Sequence, residues 1–304
     1  MWLHRVRLLG ACLFFVAGAL PATGNETILV GGATGRQGSA VVDELLARGF
    51  QVRGMTRKPE GKKAQRLAEK GVEVVRGDYA DPGSLMAAMD GIERVYFYSG
   101  FSSSEVEEGS NVIAAAKEAG IKHLVYSSGA AAAPENGVKG AKKMAVELEI
   151  VASGVPYTVF RPVAFMENFD RQQARTIKNG VLDSRDPDRM LHFIAIKDIG
   201  FFVGEAFEHP DQWLGRAVNI AGDAMTVAEM TATFGDVLGQ EVAYNQQPLE
   251  SYLESFPKPL RPLFRWYDEV GYTADVEGFR KEYPNLTTLD QYLRATGWEN
   301  WQAE

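Results

Sequence analysis

Residues 27–38, with the sequence TILVGGATGRQG, decide the fold. The first four are apolar or β-branched and predict a short strand, and residues 39–48 have helical spacing. Glycines lie between them at positions 31, 32, 35 and 38. A strand that enters a helix through glycines leaves the first N–H groups of the helix unpaired, and the helix dipole adds positive charge there. The stretch therefore predicts a site for a pyrophosphate group.

Each of the last three glycines has its own predicted role. We expect Gly32 to make the tight turn, Gly35 to let the backbone approach the phosphates, and Gly38 to let the helix pack close to the strand. The spacing is Gly-x-x-Gly-x-x-Gly, whereas the standard dinucleotide fingerprint is Gly-x-Gly-x-x-Gly. A glycine-rich turn without a ligand is the alternative interpretation.

The composition is that of a globular protein with one large domain, or one domain and a smaller appendage. The chain has 304 residues, of which 45% are hydrophobic and 24% charged. A formal net charge of -8 without a Lys/Arg run argues against a nucleic-acid or anionic-membrane surface. The only cysteine is Cys12, and the four histidines are far apart, so we expect no internal disulfide, cysteine nucleophile or metal site in the folded part.

Residues 1–24 differ from the rest of the chain. Arg5 and Arg7 precede an uncharged apolar run over residues 8–20, and small residues follow it. This pattern predicts a signal peptide or membrane-targeting leader, and with it a protein that is secreted or targeted to an organelle or membrane. The alternatives are an organelle-targeting segment or a mis-assigned start, and a mis-assigned start would leave the protein cytoplasmic.

From the glycine turn onward, strand and helix patterns alternate. Strands are predicted at residues 27–30, 51–56, 72–76, 94–98, 123–126 and 157–160, and helices at 39–48, 62–70, 84–89, 105–119 and 141–152. This order predicts an α/β protein with a doubly wound parallel sheet and right-handed crossovers. It is the pattern of a Rossmann-type fold.

The end of the second strand indicates which dinucleotide binds. An NAD site usually has an acidic residue about 20 residues after the glycines, whereas an arginine there accommodates the 2′-phosphate of NADP. Arg57 and Lys58 occupy that place, and no acid lies between Gln51 and Pro59. We therefore predict NADP(H) in preference to NAD(H). A solvated basic turn is the alternative.

Polar or small residues follow the next strands, where a cofactor would lie. Asp78 is placed to accept a hydrogen bond from the adenine amino group, and Tyr79 to pack on its ring. Ser99 and Gly100 follow the fourth strand, and Ser127 follows the fifth. All five are candidate cofactor-binding residues.

The predicted helix at residues 141–152 offers one candidate catalytic residue, Lys143. In short-chain dehydrogenases a tyrosine four residues before the lysine supplies the proton, but Lys139 stands there in this chain. Lys143 retains the capacity to bind a ribose or polarise a carbonyl, and Glu147 is one turn away as its predicted partner. A surface helix with two adjacent lysines is the alternative.

Six features together resemble the NmrA-like family of atypical short-chain dehydrogenase/reductases. They are GATGRQG at 32–38, TRKP at 56–59, GDYAD at 77–81, the Lys143/Glu147 pair, VPYTVFRPVAFMENF at 155–169 and IAIKDIG at 194–200. The resemblance covers residues 27–304, and the segment at 155–169 is its most specific part.

The resemblance implies an NADP(H)-binding Rossmann core over about residues 27–163 and a smaller α+β region over about 164–304 that closes a cleft. Family members divide between reductases of quinones or phenylpropanoid-type compounds and non-catalytic sensors of the NADP(H) state. By similarity, the pyrophosphate contacts fall on Thr34, Gly35, Gln37 and Gly38. The 2′-phosphate contact falls on Arg57, the adenine contact on Asp78, and the contacts to the nicotinamide end on Lys143 and Phe165. Gly32, Arg36 and Pro162 are further candidate cofactor-binding residues.

The remaining sequence predicts a pocket and several helix boundaries. Six apolar side chains are candidates for the pocket lining, with plain core packing as the alternative, namely Phe165, Met166, Phe169, Phe193, Phe201 and Phe202. Asp198 is predicted to cap a helix over residues 199–208, and Thr226 and Glu229 to form a capping box.

Two functions are consistent with the sequence. In the first, NADPH reduces a quinone-like or enone small molecule. In the second, NADP(H) occupancy sets the shape of the C-terminal region for a protein partner. The oligomeric state is open in both cases.

Overall fold

The computed structural model describes residues 26–100, 103–132 and 142–300. The predicted leader at residues 1–24 and Lys139 lie outside these residues. Among the residues described, no helix is both long and apolar enough to cross a membrane.

The strands and helices follow the predicted alternation. The strands are β1 (Thr27–Val30), β2 (Gln51–Thr56), β3 (Glu73–Arg76), β4 (Arg94–Tyr98), β5 (His123–Ser127), β6 (Tyr157–Pro162), β7 (Ala164–Phe165), β8 (Val181–Asp183), β9 (Met190–Ile194), β10 (Arg216–Ile220), β11 (Asp223–Thr226) and β12 (Tyr244–Gln246). The helices are α1 (Arg36–Ala47), α2 (Lys62–Glu69), α3 (Pro82–Met89), α4 (Glu105–Glu118), α5 (Lys142–Ser153), α6 (Arg171–Ile177), α7 (Ile196–Glu208), α8 (Pro210–Trp213), α9 (Val227–Leu238), α10 (Leu249–Glu254), α11 (Arg261–Glu269), α12 (Val276–Glu282) and α13 (Leu289–Ala295).

The main sheet has seven strands in the order β10-β6-β5-β4-β1-β2-β3, and every neighbouring pair is parallel. The chain winds outward from β1 in one direction through β2 and β3, and in the other through β4, β5 and β6. This confirms the predicted doubly wound α/β fold. The order reverses between β1 and β4, so the carboxyl ends of these two strands form the switch point where ligands of such sheets bind.

A hydrophobic core covers each face of this sheet, because side chains alternate along each strand. Ile28 and Val30 of β1 enter the core formed with α1 and α7, whereas Leu29 enters the core formed with α3, α4 and α5. The strands buried on both faces are therefore almost continuously apolar, as expected for a parallel sheet.

The chain after residue 163 begins the smaller α+β part with β7, β8 and β9, and then returns to the main sheet through α7 and β10. Helix α7 packs along α1, where Gly200 lies so close to Ala40 that an added Cβ would be 2.7 Å from the Ala40 carbonyl oxygen. Strand β10 then joins the edge of the sheet beside β6. The smaller α+β part contains the three-stranded sheet β11-β9-β7, the pair β12-β8, and a third core around Phe234 and Trp298.

Two predicted helix starts are wrong, and the predicted capping box is confirmed. Helix α7 begins at Ile196 with Ala195 as its N-cap, so Asp198 lies in the first turn. The Asp198 carboxylate instead accepts hydrogen bonds from the backbone N and Oγ1 of Thr287, at 2.8 and 3.0 Å. Helix α1 begins at Arg36, three residues before the predicted start. Thr226 and Glu229 form both hydrogen bonds of the capping box on α9.

Candidate functional site

The glycine turn lies at the switch point, between the end of β1 and the start of α1. Gly32 has a φ of +63°, a conformation that disfavours residues with a Cβ. Gly35 is the N-cap of α1, and the Gly35 N–H donates to the Gly32 carbonyl at 2.8 Å. The predicted role of Gly32 in the tight turn is therefore confirmed.

Four backbone N–H groups are left without a protein acceptor at this turn. Within the described part of the chain, the N–H groups of Thr34, Arg36, Gln37 and Gly38 donate to no carbonyl or side chain. Three of them are the first N–H groups of α1, where the helix dipole favours negative charge. The residues present therefore fit a pyrophosphate group.

Gly38 lets α1 pack closely against the turn. A Cβ on Gly38 would lie 2.3 Å from the Gly32 carbonyl oxygen and 2.9 Å from the Ala33 Cα atom. Both atoms belong to the backbone, which has little room to move. The predicted role of Gly38 in close helix packing is therefore confirmed.

Tyrosine side chains from neighbouring strands surround the turn. The Tyr98 hydroxyl would be 2.0 Å from a Cβ on Gly35, and the Tyr79 hydroxyl 2.3 Å from a Cβ on Gly31. The Tyr79 ring packs edge-on against Phe97, and the buried Tyr79 hydroxyl has no hydrogen-bond partner in the part of the chain that the structure describes. Burial raises the pKa of Tyr79 well above its ordinary value, so this phenol is neutral at pH 7. Adenine packing by Tyr79 stays a prediction.

Two hydroxyl contacts connect the turn to the adjacent strand ends. Ser127 Oγ at the end of β5 donates to Gln37 Oε1 at 2.8 Å. Thr34 Oγ1 lies 3.2 Å from Thr56 Oγ1 at the end of β2. The Gln37 side chain therefore faces the sheet, while the Gln37 backbone N–H faces the turn.

The predicted nucleotide contacts beyond the turn lie at the same edge of the sheet. Arg57 and Lys58 directly follow β2 and are exposed, as is Arg36. Neither Arg57 nor Lys58 forms an ion pair with any described residue. Asp78 follows β3 and accepts a hydrogen bond from the Ala80 N–H at 3.1 Å.

Lys143 lies in a buried polar cluster, and its partner is Glu105 of α4. Lys143 Nζ is 2.9 Å from Glu105 Oε1, and donates to Ser99 O at 2.8 Å and to Ser99 Oγ at 3.1 Å. Ser99 Oγ also donates to Glu105 at 2.7 Å and lies 2.8 Å from the Tyr126 hydroxyl. Burial lowers the pKa of Lys143, and the nearby Glu105 opposes that shift.

Glu147, the predicted partner of Lys143, pairs with Arg161 instead. Arg161 at the end of β6 donates to Glu147 Oε2 through Nε at 3.0 Å and Nη2 at 2.6 Å. Ser128 Oγ donates to the other carboxylate oxygen. The predicted Lys143–Glu147 ion pair is therefore wrong, because Lys143 pairs with Glu105 of α4 and Glu147 pairs with Arg161 of β6.

The other residues predicted to contact the cofactor or to line a pocket differ in burial and lie in different parts of the fold. Pro162 is buried at the end of β6 opposite Ile220, and Phe165 is half-buried in β7. Gly100 is exposed after β4. The six side chains predicted to line one pocket divide between two cores, since Phe202 packs near α1 while Met166 and Phe193 pack near α9. The alternative interpretation, core packing, describes these buried residues.

The sequence interpretation missed two residues of the site, Tyr98 and Glu105. Tyr98 ends β4, and contact with the glycine turn follows only once β4 is known to lie beside β1. Glu105 is 2% exposed at the start of α4, and a carboxylate among three acids in a first helical turn gives no local sign of burial.

A glycine turn with free helix amides at the switch point of a parallel sheet defines the class of Rossmann-type α/β proteins. Within that class the chain belongs to the NmrA-like family, whose family model matches residues 24–293. The resemblance stated from the sequence motifs is therefore confirmed.

Proteins similar to this chain in sequence include oxidoreductases, and the solved structures similar to it in fold include a quinone oxidoreductase and a regulator. An NmrA-like family domain-containing oxidoreductase of Aspergillus hancockii is 31% identical over 263 residues, which cover 77% of this chain and 78% of the relative. The NADPH-dependent quinone oxidoreductase of Escherichia coli, solved with NADPH, has a TM-score of 0.77 at 24% identity and covers 88% of this chain and 99% of its own. The negative transcriptional regulator NmrA, solved with NAD, has a TM-score of 0.74 at 20% identity, with 90% and 95% covered.

Proposed function

We propose that this protein is an NADP(H)-binding reductase that transfers hydride from NADPH to a quinone-like or enone small molecule. The observation that carries the proposal is the set of free N–H groups at Thr34, Arg36, Gln37 and Gly38. They lie at a helix N-terminus on the switch point, where a pyrophosphate gains several hydrogen bonds and a favourable dipole at once.

Arg57 supports NADP(H) over NAD(H). Its guanidinium is exposed at the end of β2 and has no ion-pair partner among the described residues, so it is available to a 2′-phosphate. The absence of an acid between Gln51 and Pro59 removes the usual ribose 2′-OH acceptor of NAD sites. The E. coli quinone oxidoreductase was solved with NADPH, which agrees with this choice.

NADPH, when bound, supplies the hydride, and a quinone that takes up this hydride and one proton becomes a hydroquinone. The chain positions the reaction by holding the dinucleotide along the ends of β1 and β4. Lys143 places an ammonium group beside Ser99 at the end of β4, where it orients a ribose or stabilises negative charge that develops on the substrate. The proton comes from solvent in this mechanism.

The alternative is a non-catalytic protein that senses NADP(H) and binds a protein partner. One observation favours it, since the Lys143 ammonium is directed at Ser99 and Glu105 in a buried cluster. A lysine held in this way serves the fold whether or not any substrate reacts. The structural likeness to the regulator NmrA agrees with this alternative.

Loss of nicotinamide absorbance in a mixture of the purified protein, NADPH and a panel of quinones and enones separates the two functions. The reductase requires substrate-dependent oxidation of NADPH, and Lys143→Met should lower its rate. Tight NADPH binding without turnover of any compound in the panel would reject the reductase and support the sensor.

We also propose that residues 1–24 are a targeting leader. The family match begins at residue 24, the last residue of this segment, which supports the division. N-terminal sequencing of the protein from its native source tests it. A mature terminus near residue 25 is the expected result, and an intact Met1 would contradict cleavage.

A further inference from the structure

We propose that Tyr98 guards the glycine turn, because its phenol occupies the space over Gly32 and Gly35 and must move aside for a dinucleotide pyrophosphate to contact the backbone there. The inference rests on the proposed function, in that it takes the turn to bind a dinucleotide. It adds a residue that controls the rate of binding.

The space beside Gly32 and Gly35 is filled by the Tyr98 side chain. A Cβ on Gly35 would lie 2.0 Å from the Tyr98 hydroxyl oxygen, and a Cβ on Gly32 would lie 2.9 Å from Tyr98 Cε1. Tyr98 therefore occupies the side of each glycine on which a Cβ would project. A phosphate oxygen that approached Gly35 from that side would meet the Tyr98 hydroxyl.

The backbone that carries Tyr98 is well fixed. Tyr98 is the last residue of β4 and pairs with Ser127 of β5. The following residue, Ser99, accepts two hydrogen bonds from Lys143. Any movement that clears the turn must therefore come from rotation of the Tyr98 side chain.

The contacts that hold the phenol in place are weak. The Tyr98 hydroxyl donates to the Gly32 carbonyl at 3.4 Å, which is long for an O–H···O hydrogen bond. The ring lies 6.3 Å from the Tyr96 ring in a tilted arrangement, and the side chain is half-buried. Burial raises the pKa of Tyr98, so the phenol stays neutral and keeps its proton as a donor at pH 7.

A weakly held side chain leaves the turn open in a fraction of the molecules. If only that fraction binds, the observed association rate constant is the intrinsic one multiplied by the open fraction. Removal of the hydroxyl takes away the atom nearest to the Cβ position of Gly35 and leaves Cζ 3.2 Å from it, whereas removal of the whole ring takes away every Tyr98 contact with both glycines. The association rate constant should therefore rise in the order wild type, Tyr98→Phe, Tyr98→Ala.

Stopped-flow measurement of NADPH fluorescence during binding tests this order with the full chain. We expect association to be about threefold faster in Tyr98→Phe and about tenfold faster in Tyr98→Ala, the size expected for loss of one weak hydrogen bond and its ring contacts. Tyr157→Ala is the matched control, because Tyr157 is also half-buried in the main sheet but begins β6 at the opposite edge. Its association rate constant should equal that of the wild type.

Unchanged or slower association in Tyr98→Phe overturns the proposal, even if Tyr98→Ala does not fold. Slower association in Tyr98→Ala overturns it as well, because the tyrosine would then be a contact that promotes binding. If the wild type binds NADPH and the Tyr98 variants have the same association rate constant, only the proposed role of Tyr98 is rejected. If the wild type does not bind NADPH, the proposed function and the role of Tyr98 are rejected together.

Discussion

Two neighbouring regions at the carboxyl edge of the main sheet differ in whether their polar groups have protein partners. At the glycine turn, the N–H groups of Thr34 and of residues 36–38 have no acceptor among the described residues, and Arg57 is exposed. Around Lys143 and Glu147, each charge is buried against an opposite charge and a serine. Unpaired polar groups are stable only near solvent or a ligand. The first region therefore has the free donors that the proposed function requires, whereas the charges of the second region already have protein partners.

Removal of the Lys143 charge should give the largest change in stability. Lys143→Met leaves the Glu105 carboxylate, 2% exposed, without its cation, and breaking a buried ion pair from one side costs about 3–5 kcal/mol. Lys142→Met on the same helix is the control, because Lys142 is exposed and should change stability by less than about 0.5 kcal/mol. Denaturant unfolding measures the free energy of unfolding of both variants. An equal loss of stability in Lys143→Met and Lys142→Met would contradict the contrast between the two regions.

At the turn, loss of a charge should affect binding and leave stability unchanged. Arg57→Ala should weaken NADPH binding by about 10- to 100-fold, the value of a charge-assisted hydrogen bond to phosphate, and leave NADH binding unchanged. Arg66→Ala removes an equally exposed arginine from α2 and should leave both affinities unchanged. Equal weakening of NADPH and NADH by Arg57→Ala would contradict the assignment of the 2′-phosphate.

A buried histidine at the start of β5, His123, gives a pH dependence. His123 Nε2 lies 2.8 Å from Thr158 Oγ1, and burial, with a smaller contribution from Arg94, lowers the pKa of His123 to about 3. The unfolded chain, with a pKa near 6.5, binds more protons between these values. Stability should therefore rise with pH from about 3 to 6.5, by up to about 1.4 kcal/mol per unit. His123→Gln should flatten this slope in urea titrations, and an unchanged slope would reject His123 as its origin.

The smallest effect expected is a coupling within the turn. Gly35→Ala would place its Cβ against the Tyr98 hydroxyl, whereas in Tyr98→Phe that oxygen is gone. The double mutant should therefore be more stable than the sum of the single changes predicts, by about 1 kcal/mol. A double-mutant cycle from thermal unfolding measures this energy, and strict additivity would mean that the two residues do not meet.

The sequence predicts the parts of this molecule that depend on local patterns. Short β-branched runs and helical spacing identify β1 to β6 and α1 to α5, and the glycine spacing identifies the turn, because both signals lie within a few residues. The same local reasoning assigns Glu147 to Lys143 by helical spacing, and this fails because α4 brings Glu105 and β6 brings Arg161. Two other features depend on contacts between distant segments in the same way and are not predicted. One is the pairing of β10 with β6 at the edge of the sheet, and the other is the position of Tyr98 over the glycine turn.

Titration calorimetry with NADPH tests most directly the claim that the free amides of the glycine turn bind a dinucleotide. We expect saturable heat with the wild type and with Gly83→Ala, where an added Cβ lies no closer than 3.4 Å to Asp81. Gly38→Ala, whose Cβ would collide with the Gly32 carbonyl, should lose that heat. No heat in the wild type, or full heat in Gly38→Ala, would contradict the account.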